Sequence, residues 1–238
     1  MLKLSSINTF YGSSHILHDV SLEVRQGEIV VLLGRNGVGK TTTLKSIMGI
    51  ERPKTGNIVF EGEDITQLRP YQIARKGIAF IPEDRRVIPN LTVYENLRIG
   101  MIVRGKSVRI NKAMETVFNY FPRLEERLHQ MGSSLSGGEQ QMLTIARGLV
   151  SSPKVMMIDE PTEGLMPILV AEIWGILKKL HEDKATVLLV EQNYEAALSL
   201  TSNQRAYILE KGQVRMSGTR EELHGRQEEV ERYLGVKV

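Results

Sequence analysis

The 238-residue chain contains no cysteine. This absence excludes disulfide bonds, thiolate metal ligands and cysteine nucleophiles, and it fits a reducing compartment. No stretch approaches the roughly 18 consecutive apolar residues that a membrane-spanning helix needs, and the N-terminal sequence MLKLSSINTF lacks the apolar core of a signal peptide. We therefore expect the protein to work in the cytoplasm.

The chain also lacks a large excess of charge of one sign. Lys and Arg total 31 against 28 Asp and Glu, which gives a net charge of +3, and the basic residues are spread along the chain. A nucleic-acid-binding surface needs a basic patch or stripe, so nucleic acid is not an expected partner. The five histidines show no metal-ligand spacing. With 41% hydrophobic residues, the chain is long enough for a substantial core in one domain, or at most two closely fused lobes.

Short apolar runs rich in β-branched residues predict the centre of the fold. The three runs are EIVVLLG from Glu28, KVMMIDE from Lys154 and ATVLLVEQ from Ala185. Continuous runs of this kind are typical of parallel strands that are buried on both faces. Helical patterns follow them, beginning near Lys40, Met166 and Asn193. The alternation predicts an α/β core with crossover helices.

The remaining segments differ in their patterns. Residues 2–24 alternate between apolar and polar side chains, which predicts an N-terminal antiparallel β lobe. Helix signals dominate residues 84–140, among them the capping box of Thr92 and Glu95, and indicate an inserted helical subdomain. The stretch RAYILEKGQVRMSG predicts a hairpin that turns at Lys211-Gly212. We expect one domain over residues 1–238.

A glycine-rich stretch, GRNGVGKTTTL, follows the first buried strand and fits the pattern G-x-x-x-x-G-K-[ST]. Its backbone N–H groups would curl around phosphates, Lys40 would neutralise the β and γ oxygens, and Thr41 would hold Mg²⁺. An ordinary strand-to-helix turn is the alternative, but the glycines, lysine and threonine stand in the required register and context. The predicted ATP-binding residues of this loop are Gly34, Arg35, Asn36, Gly37, Val38, Gly39, Lys40, Thr41 and Thr42.

Two adjacent carboxylates end the second buried strand, in MMIDEP. They would lie at the carboxyl edge of the sheet, where open α/β folds bind their ligands. Asp159 can reach the Mg²⁺ held by Thr41, while Glu160 is placed to orient and deprotonate the water that attacks the γ-phosphate. An isolated Asp-Glu pair at a strand end is commonly exposed to solvent and has no catalytic role. Its combination with the phosphate loop favours the catalytic interpretation.

The stretch LSGGEQQ, residues 135–141, is a third motif. Ser136 and Glu139 form an S-x-x-E capping box, and the two glycines could simply permit a turn. A capped helix start also leaves backbone N–H groups open for an anion. That anion need not be bound by the same chain.

Together these motifs resemble those of the ATP-binding subunits of ABC transporters, over essentially the whole chain. The resemblance implies an ABC ATPase fold: an α/β P-loop NTPase core with a mainly parallel sheet, an N-terminal antiparallel β lobe and an inserted helical subdomain. It also implies ATP hydrolysis coupled to transmembrane solute transport, with ATP and Mg²⁺ as cofactors.

LSGGEQQ is similar to the family's signature, and the resemblance implies a head-to-tail dimer. Ser136, Gly137 and Gly138 of one chain would close on the γ-phosphate held by Lys40 of the other. Tyr11, in FYGSSHIL, matches the aromatic position that stacks on adenine in this family. Without the resemblance, Tyr11 would be interpreted as an ordinary packing or turn residue.

Two positions depart from the family pattern. Glu83 follows the strand GIAFIP where relatives usually have glutamine. We hypothesise that Glu83 contacts Mg²⁺ or its water only indirectly, since a carboxylate that faces triphosphate is otherwise repelled. The alternative is an ion pair with Arg85 or Arg86 in a solvated turn. Met166 stands where many relatives carry an aspartate that reaches across the dimer.

Gln192, in LLVEQN, is a third departure, because most ABC ATPases place a histidine there that contacts the γ-phosphate. A glutamine amide can donate to phosphate and accept from water, but it does not titrate. We therefore interpret Gln192 as a catalytic residue. We expect the pH profile of ATP hydrolysis to lack a histidine-like inflection near pH 6.5. The alternative is that Asn193 caps the next helix and Gln192 only fills the turn.

VEQN, PEDRR and the ending YLGVKV resemble the subgroup that serves importers of branched-chain and other hydrophobic amino acids, including amide and urea relatives. That resemblance implies two membrane permeases, a related ATPase subunit or self-dimer, an extracytoplasmic solute-binding protein, and a peripheral position on the cytoplasmic face of the inner membrane. The coupling surface would be the helical region from Val87 to Gly105, especially near Leu91 and Val93. Alternatives are a lipid transporter or exporter, and a soluble ABC ATPase that acts in DNA repair, translation or assembly.

Overall fold

The computed structural model describes residues 1–103, 110–200 and 205–235. Residues 104 and 105 of the predicted coupling surface, and the last three of YLGVKV, lie outside these ranges. The strands are β1 (Leu2–Tyr11), β2 (Ser14–Val24), β3 (Ile29–Leu33), β4 (Thr55–Phe60), β5 (Glu63–Asp64), β6 (Ile78–Ile81), β7 (Val155–Asp159), β8 (Val187–Glu191), β9 (Arg205–Glu210) and β10 (Gln213–Thr219). The helices are α1 (Lys40–Ile47), α2 (Pro70–Lys76), α3 (Val93–Met101), α4 (Ile110–Tyr120), α5 (Pro122–Glu126), α6 (Gly137–Leu149), α7 (Pro167–Glu182), α8 (Tyr194–Leu198), α9 (Arg220–His224) and α10 (Gln227–Leu234).

The central sheet has six strands in the order β10-β9-β3-β8-β7-β6. Strands β9, β3, β8, β7 and β6 run parallel, and β10 pairs antiparallel at one edge. Alternate residues of β3 enter two different cores, Val31 on one face and Leu32 on the other. Each face therefore needs its own cover of apolar side chains, which explains why these runs are continuously hydrophobic. The predicted parallel strands are confirmed.

A second sheet, with the strand order β2-β1-β4-β5, is antiparallel and covers one face of the central sheet. Leu4 pairs with Leu22 across β1 and β2, and both side chains are buried in the core that also contains Leu32 and Leu44 of α1. The alternation in residues 2–24 thus places apolar side chains on one face of a sheet. This confirms the antiparallel β lobe.

Helices cover the opposite face of the central sheet. Thr92 caps α3 through a capping box: the Glu95 N–H donates to the Thr92 hydroxyl at 3.2 Å, and the Thr92 N–H donates to the Glu95 carboxylate at 2.8 Å. Helices α3, α4 and α5 lie within residues 84–140, as the helix signals predict. The boundary of a helical subdomain there stays a prediction.

The expected coupling surface needs a correction. Val93 is fully buried because its side chain belongs to the hydrophobic core, and Leu91 is half-buried. The backbone at Gln130 also runs along the first turn of α3 and accepts a 2.9 Å hydrogen bond from the Val93 N–H. The apolar side chains that stay exposed lie just beyond the other end of α3, at Ile102 and Val103. Val103 lines a groove of about 340 Å³ between α2, α3, α6 and β6, and Ile102 lies next to it, in the lining of a neighbouring cleft that Val103 shares.

The C-terminal hairpin forms where the sequence predicts it. Lys211 and Gly212 connect β9 to β10 with positive φ angles of 48° and 75°. Two successive positive φ values are typical of the two-residue turns whose twist matches that of the flanking strands. The hairpin adds β10 as the antiparallel edge of the central sheet. In the described part of the chain, no helix is long and apolar enough to cross a membrane.

Candidate active site

The strand order brings the predicted site segments to one edge of the central sheet. Parallel strands β6, β7, β8 and β3 are neighbours, so their carboxyl ends meet. Glu83 follows β6, Asp159 ends β7, Gln192 follows β8, and Gly34 begins the loop after β3. Four segments that are far apart in the sequence therefore face the same space.

The phosphate loop depends on glycine at two close approaches. Gly39 has a φ of +112°, and a Cβ atom there would lie 2.7 Å from the Leu17 Cδ2 atom. A Cβ on Gly34 would lie 2.6 Å from the Leu209 carbonyl oxygen. The positive φ at Gly39 and the fixed backbone oxygen next to Gly34 would both strain the loop if either glycine carried a side chain. The loop then leads directly into α1 at Lys40, whose first-turn N–H groups point towards the cleft.

A cleft of about 280 Å³ opens above this loop. It is lined by Asn36, Gly37, Gly39, Lys40, Thr41, Thr42, Glu83, Glu160 and Glu163. A larger cleft of about 670 Å³ lies beside α2, where Lys76 and Lys154 form ion pairs with Glu63 and Glu61. The smaller cleft is the candidate active site, because it alone of these two contains the phosphate loop and the predicted catalytic carboxylate.

The Lys40 side chain is buried and makes three polar contacts. Its Nζ donates to the carbonyl oxygens of Gly34 at 2.7 Å and Arg35 at 2.8 Å, and it lies 3.0 Å from Glu160 Oε1. An ammonium group has three donors, so its hydrogen-bonding capacity is fully used within the chain. Phosphate oxygens that enter the cleft must replace at least one of these acceptors.

Glu160 is 6% exposed and has a φ of 42°, a conformation that is strained for a residue with a side chain. Gln192 Nε2 donates a hydrogen bond to Glu160 Oε2. Burial raises the pKa of Glu160, but hydrogen bonds from Glu163 and Gln192 together with the Lys40 charge lower it more. The net pKa is below the ordinary value, so Glu160 is ionised at neutral pH and can accept a proton.

Glu163 belongs to this group although the sequence reasoning did not single it out. Its hydrogen bond to Glu160, its burial and the Glu160 charge raise the pKa of Glu163 to about 7. A second contact joins Glu163 Oε2 to Gln192 Nε2 at 3.3 Å. The signal in the sequence was the Glu-x-x-Glu spacing across a tight turn, in which the Glu163 N–H donates to the Glu160 carbonyl at 3.2 Å.

Asp159 is fully buried, and neither of its carboxylate oxygens has a hydrogen-bond partner among the described residues. Burial raises the pKa of Asp159 to about 6, and the nearby Thr41 side chain opposes part of this rise. Mg²⁺ is often held by one or two carboxylates together with substrate phosphates and water. The unpartnered oxygens of Asp159 beside the Thr41 hydroxyl fit such an ion.

Glu83 faces the cleft, and the predicted alternative of an ion pair with a neighbouring arginine is not formed in the part of the chain that the structure describes. Arg86 pairs with Asp84 instead, at 2.8 Å. The Arg85 guanidinium lies against Gly137, with Nη1 2.6 Å from where a Cβ of that glycine would be. The Glu83 carboxylate is thus left beside the phosphate loop.

The LSGGEQQ motif begins α6 and does not line the cleft. Ser136 caps the helix: its backbone N–H donates to Glu139 at 2.8 Å, and its hydroxyl accepts from the Glu139 N–H at 3.4 Å. A Cβ on Gly138 would lie 2.4 Å from Leu169 of α7, so the start of α6 packs closely on that helix. Tyr11, at the end of β1, is 39% exposed and also lies outside the cleft lining.

Comparison with known proteins identifies the family that has these features. The family described as ABC transporter matches residues 17–163, more than half of the chain. This chain belongs to the ABC transporter family. It is an ATP-binding cassette, which hydrolyses ATP to drive transport.

Two relatives of this ABC subunit are named for the transport of different substances. The high-affinity branched-chain amino acid transport ATP-binding protein BraG of Pseudomonas aeruginosa is 46% identical over 219 residues, which cover 92% of this chain and 93% of the relative. The lipopolysaccharide export system ATP-binding protein LptB of Haemophilus influenzae is 35% identical over 238 residues, covering 99% and 97%.

A solved structure of similar fold is an ATP-binding cassette dimer in a post-hydrolysis state, bound to ADP and phosphate. It is 28% identical to this ABC subunit, with a TM-score of 0.80, and the match covers 92% of this chain and 98% of that one. The expected ABC ATPase fold is confirmed. ABC ATPases related to this chain dimerise and work with membrane permease subunits.

Proposed function

We propose that this ABC subunit hydrolyses ATP to power a membrane importer of branched-chain amino acids. The observation that supports the proposed chemistry best is the buried arrangement of Lys40, Glu160 and Gln192 at the carboxyl edge of the sheet. It combines a phosphate-binding cation, an ionised carboxylate and a neutral amide, and both the cation and the amide contact the carboxylate directly.

ATP binding begins when phosphate oxygens replace the acceptors of the Lys40 ammonium group. Lys40 then releases Glu160 Oε1, which becomes free to orient a water molecule. Glu160 takes a proton from that water as its oxygen attacks the γ-phosphorus and the bond to ADP breaks. Gln192 holds the other Glu160 oxygen and does not titrate, so it positions the base without changing charge.

The other loop residues surround the triphosphate. The N–H groups of residues 34–42 cradle the phosphates because the loop precedes the N-terminus of α1. When bound, Mg²⁺ neutralises phosphate charge, and Asp159 and Thr41 are the side chains that would hold it. Glu83 would contact the ion only through water, since a direct approach to the phosphates is repelled.

A second ATPase copy, identical or related, completes each site. Ser136, Gly137 and Gly138 lie outside the cleft of their own chain, which supports their use on the phosphates of a partner in a head-to-tail dimer. Tyr11 would stack on the adenine. Met166 is 65% exposed at the start of α7, so no carboxylate reaches across the dimer from this position.

Each ATPase copy would dock one of the two membrane permeases at the groove lined by Val103 and next to Ile102, where apolar side chains remain exposed. The subunit would then be a peripheral protein on the cytoplasmic face of the cell membrane. An extracytoplasmic binding protein would present the solute to the permeases. Branched-chain amino acids are proposed as that solute because the relative with this name is more similar than the lipopolysaccharide exporter, 46% against 35%.

The test is a pull-down from native membranes with tagged Glu160→Gln protein, ATP and Mg²⁺. Removing the base should trap the ATP-bound dimer, and we expect two multi-span permeases to co-purify. Lys40→Ala is the matched control, because it weakens ATP binding and should recover fewer permeases. Stimulation of the purified wild-type complex by a leucine-loaded binding protein then tests the solute.

Three results would contradict the proposal. Recovery of only soluble or nucleic-acid partners would leave the ATPase chemistry intact and overturn the transport assignment. If lipopolysaccharide stimulates the ATPase rate of the complex and leucine does not, the proposed solute is wrong. Robust steady-state hydrolysis by Glu160→Gln would remove Glu160 as the base.

A further inference from the structure

A buried carboxyl group beside the candidate active site takes no part in the proposed hydrolysis. Glu191 is the last residue of β8 and is 3% exposed, while the other four residues of that strand are apolar. Among the described residues, no ion pair includes Glu191. Burying a carboxyl group is costly unless its oxygens are hydrogen-bonded, so the stability of this arrangement depends on the hydrogen-bond partners of Glu191.

Glu191 accepts one hydrogen bond from the turn after β7 and one from the backbone of its own segment. The Thr162 hydroxyl donates to Glu191 Oε1 at 2.8 Å, and the Gln192 backbone N–H donates to Oε2 at 3.1 Å. Burial raises the pKa of Glu191, and the Thr162 hydroxyl opposes this rise. Neither partner is charged, so the contacts constrain geometry more than they balance charge.

These contacts close a ring around the proposed base. Thr162 follows Glu160 by two residues, and Gln192 directly follows Glu191. The Gln192 side chain completes the ring when it donates to the Glu160 carboxylate. The turn after β7 and the turn after β8 are therefore joined by three side-chain contacts: Thr162 binds Glu191, and the Gln192 amide binds both Glu160 and Glu163.

The choice of glutamate at position 191 supports a positioning role for its contact with Thr162. A leucine or valine at position 191 would continue the apolar pattern of β8 and would avoid the desolvation of a carboxyl group. It could not accept a hydrogen bond from Thr162. Without that contact, the strained turn that contains Glu160 would be held to β8 by the Gln192 side chain and backbone pairing alone.

We propose that Glu191 is a positioning residue for ATP hydrolysis, which holds the Thr162 hydroxyl so that Glu160 and Gln192 keep the spacing needed to orient the attacking water. This inference rests on the proposed role of Glu160 as the base. Glu191 itself does not line the cleft, so its effect would pass through Thr162 and Gln192.

The first test compares two substitutions at one site. Thr162→Val removes the hydroxyl and keeps the shape, whereas Thr162→Ser keeps the donor. We expect Thr162→Val to lower kcat about tenfold, because a small misplacement of catalytic groups slows the chemical step. KM and ATP affinity should change less than about twofold. Thr162→Ser should retain most of the wild-type kcat.

Glu191 provides a second pair of variants. Glu191→Gln can still bind the Thr162 hydroxyl and the Gln192 N–H through its two amide atoms, so we expect it to keep most of kcat. Glu191→Leu cannot accept these hydrogen bonds and should lose most of the wild-type kcat. Equal losses in both variants would assign the effect to charge and overturn the positioning role.

A double variant separates positioning from general stability. In a Gln192→Ala background the ring is already open, so adding Thr162→Val should cost less than about twofold in kcat. An undiminished tenfold loss there would overturn the proposal. Thr66→Val is the matched control, because it removes another buried threonine hydroxyl, bound to Asp64, and should lower Tm without lowering kcat.

The inference and the proposed base can fail separately. If Glu160→Gln is inactive but Thr162→Val has wild-type kcat, Glu160 remains the base and Glu191 has no positioning role. If Glu160→Gln hydrolyses ATP normally, the assignment of the base is wrong whatever Thr162→Val does.

Discussion

At the scale of single residues, the contact between Lys40 and Glu160 determines the state of the site before nucleotide enters. Both side chains are almost completely buried, and their charges lie 3.0 Å apart. Each would be costly to bury alone. The two groups that ATP must separate are thus the ones that stabilise each other in its absence.

We expect Lys40→Ala to lower the free energy of unfolding by about 3 kcal/mol, because it leaves a buried carboxylate without its cation. Urea denaturation of the nucleotide-free protein measures this change. The double variant Lys40→Ala/Glu160→Ala should be less destabilised than Lys40→Ala, since it leaves no unpaired charge. Equal stability of Lys40→Ala and wild type would show that the ion pair contributes nothing.

A second prediction concerns Glu163, whose pKa of about 7 in the folded state lies above the ordinary 4.5. As pH rises through this window, the unfolded chain loses the proton first, so wild-type stability falls between about pH 4.5 and 7. Glu163→Gln cannot lose a proton. We expect its Tm relative to wild type to rise from pH 5 to pH 8.

Thermal denaturation at both pH values tests this expectation. The shift should be modest, because Glu163 is exposed and solvent screens its interaction with Glu160. Glu126→Gln, on the exposed surface of α5, controls for the loss of one negative charge. A Tm difference that stays constant with pH, or falls, would contradict the raised pKa.

At the scale of secondary-structure elements, the LSGGEQQ motif is held in place by close packing of α6 on α7. Gly138 leaves no room for a methyl group, because three atoms of the Leu169 side chain lie within 3.0 Å of the Cβ position. The start of α6 is therefore positioned by a neighbouring helix as well as by its own cap. That packing links the motif to the segment that follows Glu160.

Gly138→Ala should destabilise the protein by about 1–3 kcal/mol, since the added methyl group forces Leu169 to move. Gly175→Ala is a matched control within α7, where a Cβ would contact nothing within 4 Å. It should stabilise the protein by about 0.5–1 kcal/mol through helix propensity. Chemical denaturation of both variants measures the difference, and a neutral Gly138→Ala would show that the contact is loose.

At the scale of the whole molecule, two surfaces have different expected partners. The cleft edge that contains the phosphate loop would meet a second ATPase copy, while the groove beside Ile102 would meet a permease. Ile102 is 73% exposed, and it lies outside the cleft lining. Changes at Ile102 should therefore separate coupling from chemistry.

We expect Ile102→Glu to leave the ATPase rate of the isolated subunit within about twofold of wild type, while permease recovery in the pull-down falls about tenfold, because a charge replaces an apolar contact. Lys178→Glu, on the exposed surface of α7, is the control for a new acidic side chain elsewhere. Unchanged recovery with Ile102→Glu would remove this groove as the docking surface.

The linear sequence was sufficient for features that depend on local chemistry. Buried strands, the capping boxes at Thr92 and Ser136, and the phosphate loop were predictable, because each depends on side-chain spacing within a few residues. The coupling surface was not. Val93 has the same apolar character as an exposed docking residue, and only the tertiary packing that places its side chain in the core decides that it is buried.

The sequence by itself determined that this chain binds and hydrolyses nucleotide, since those motifs carry their chemistry in their own backbone and side chains. Only the tertiary structure decided which carboxylates share the site. Glu163 and Glu191 are separated by 28 positions, yet the neighbouring ends of β7 and β8 place both around Gln192. Long-range strand order sets such contacts, and no local pattern encodes it.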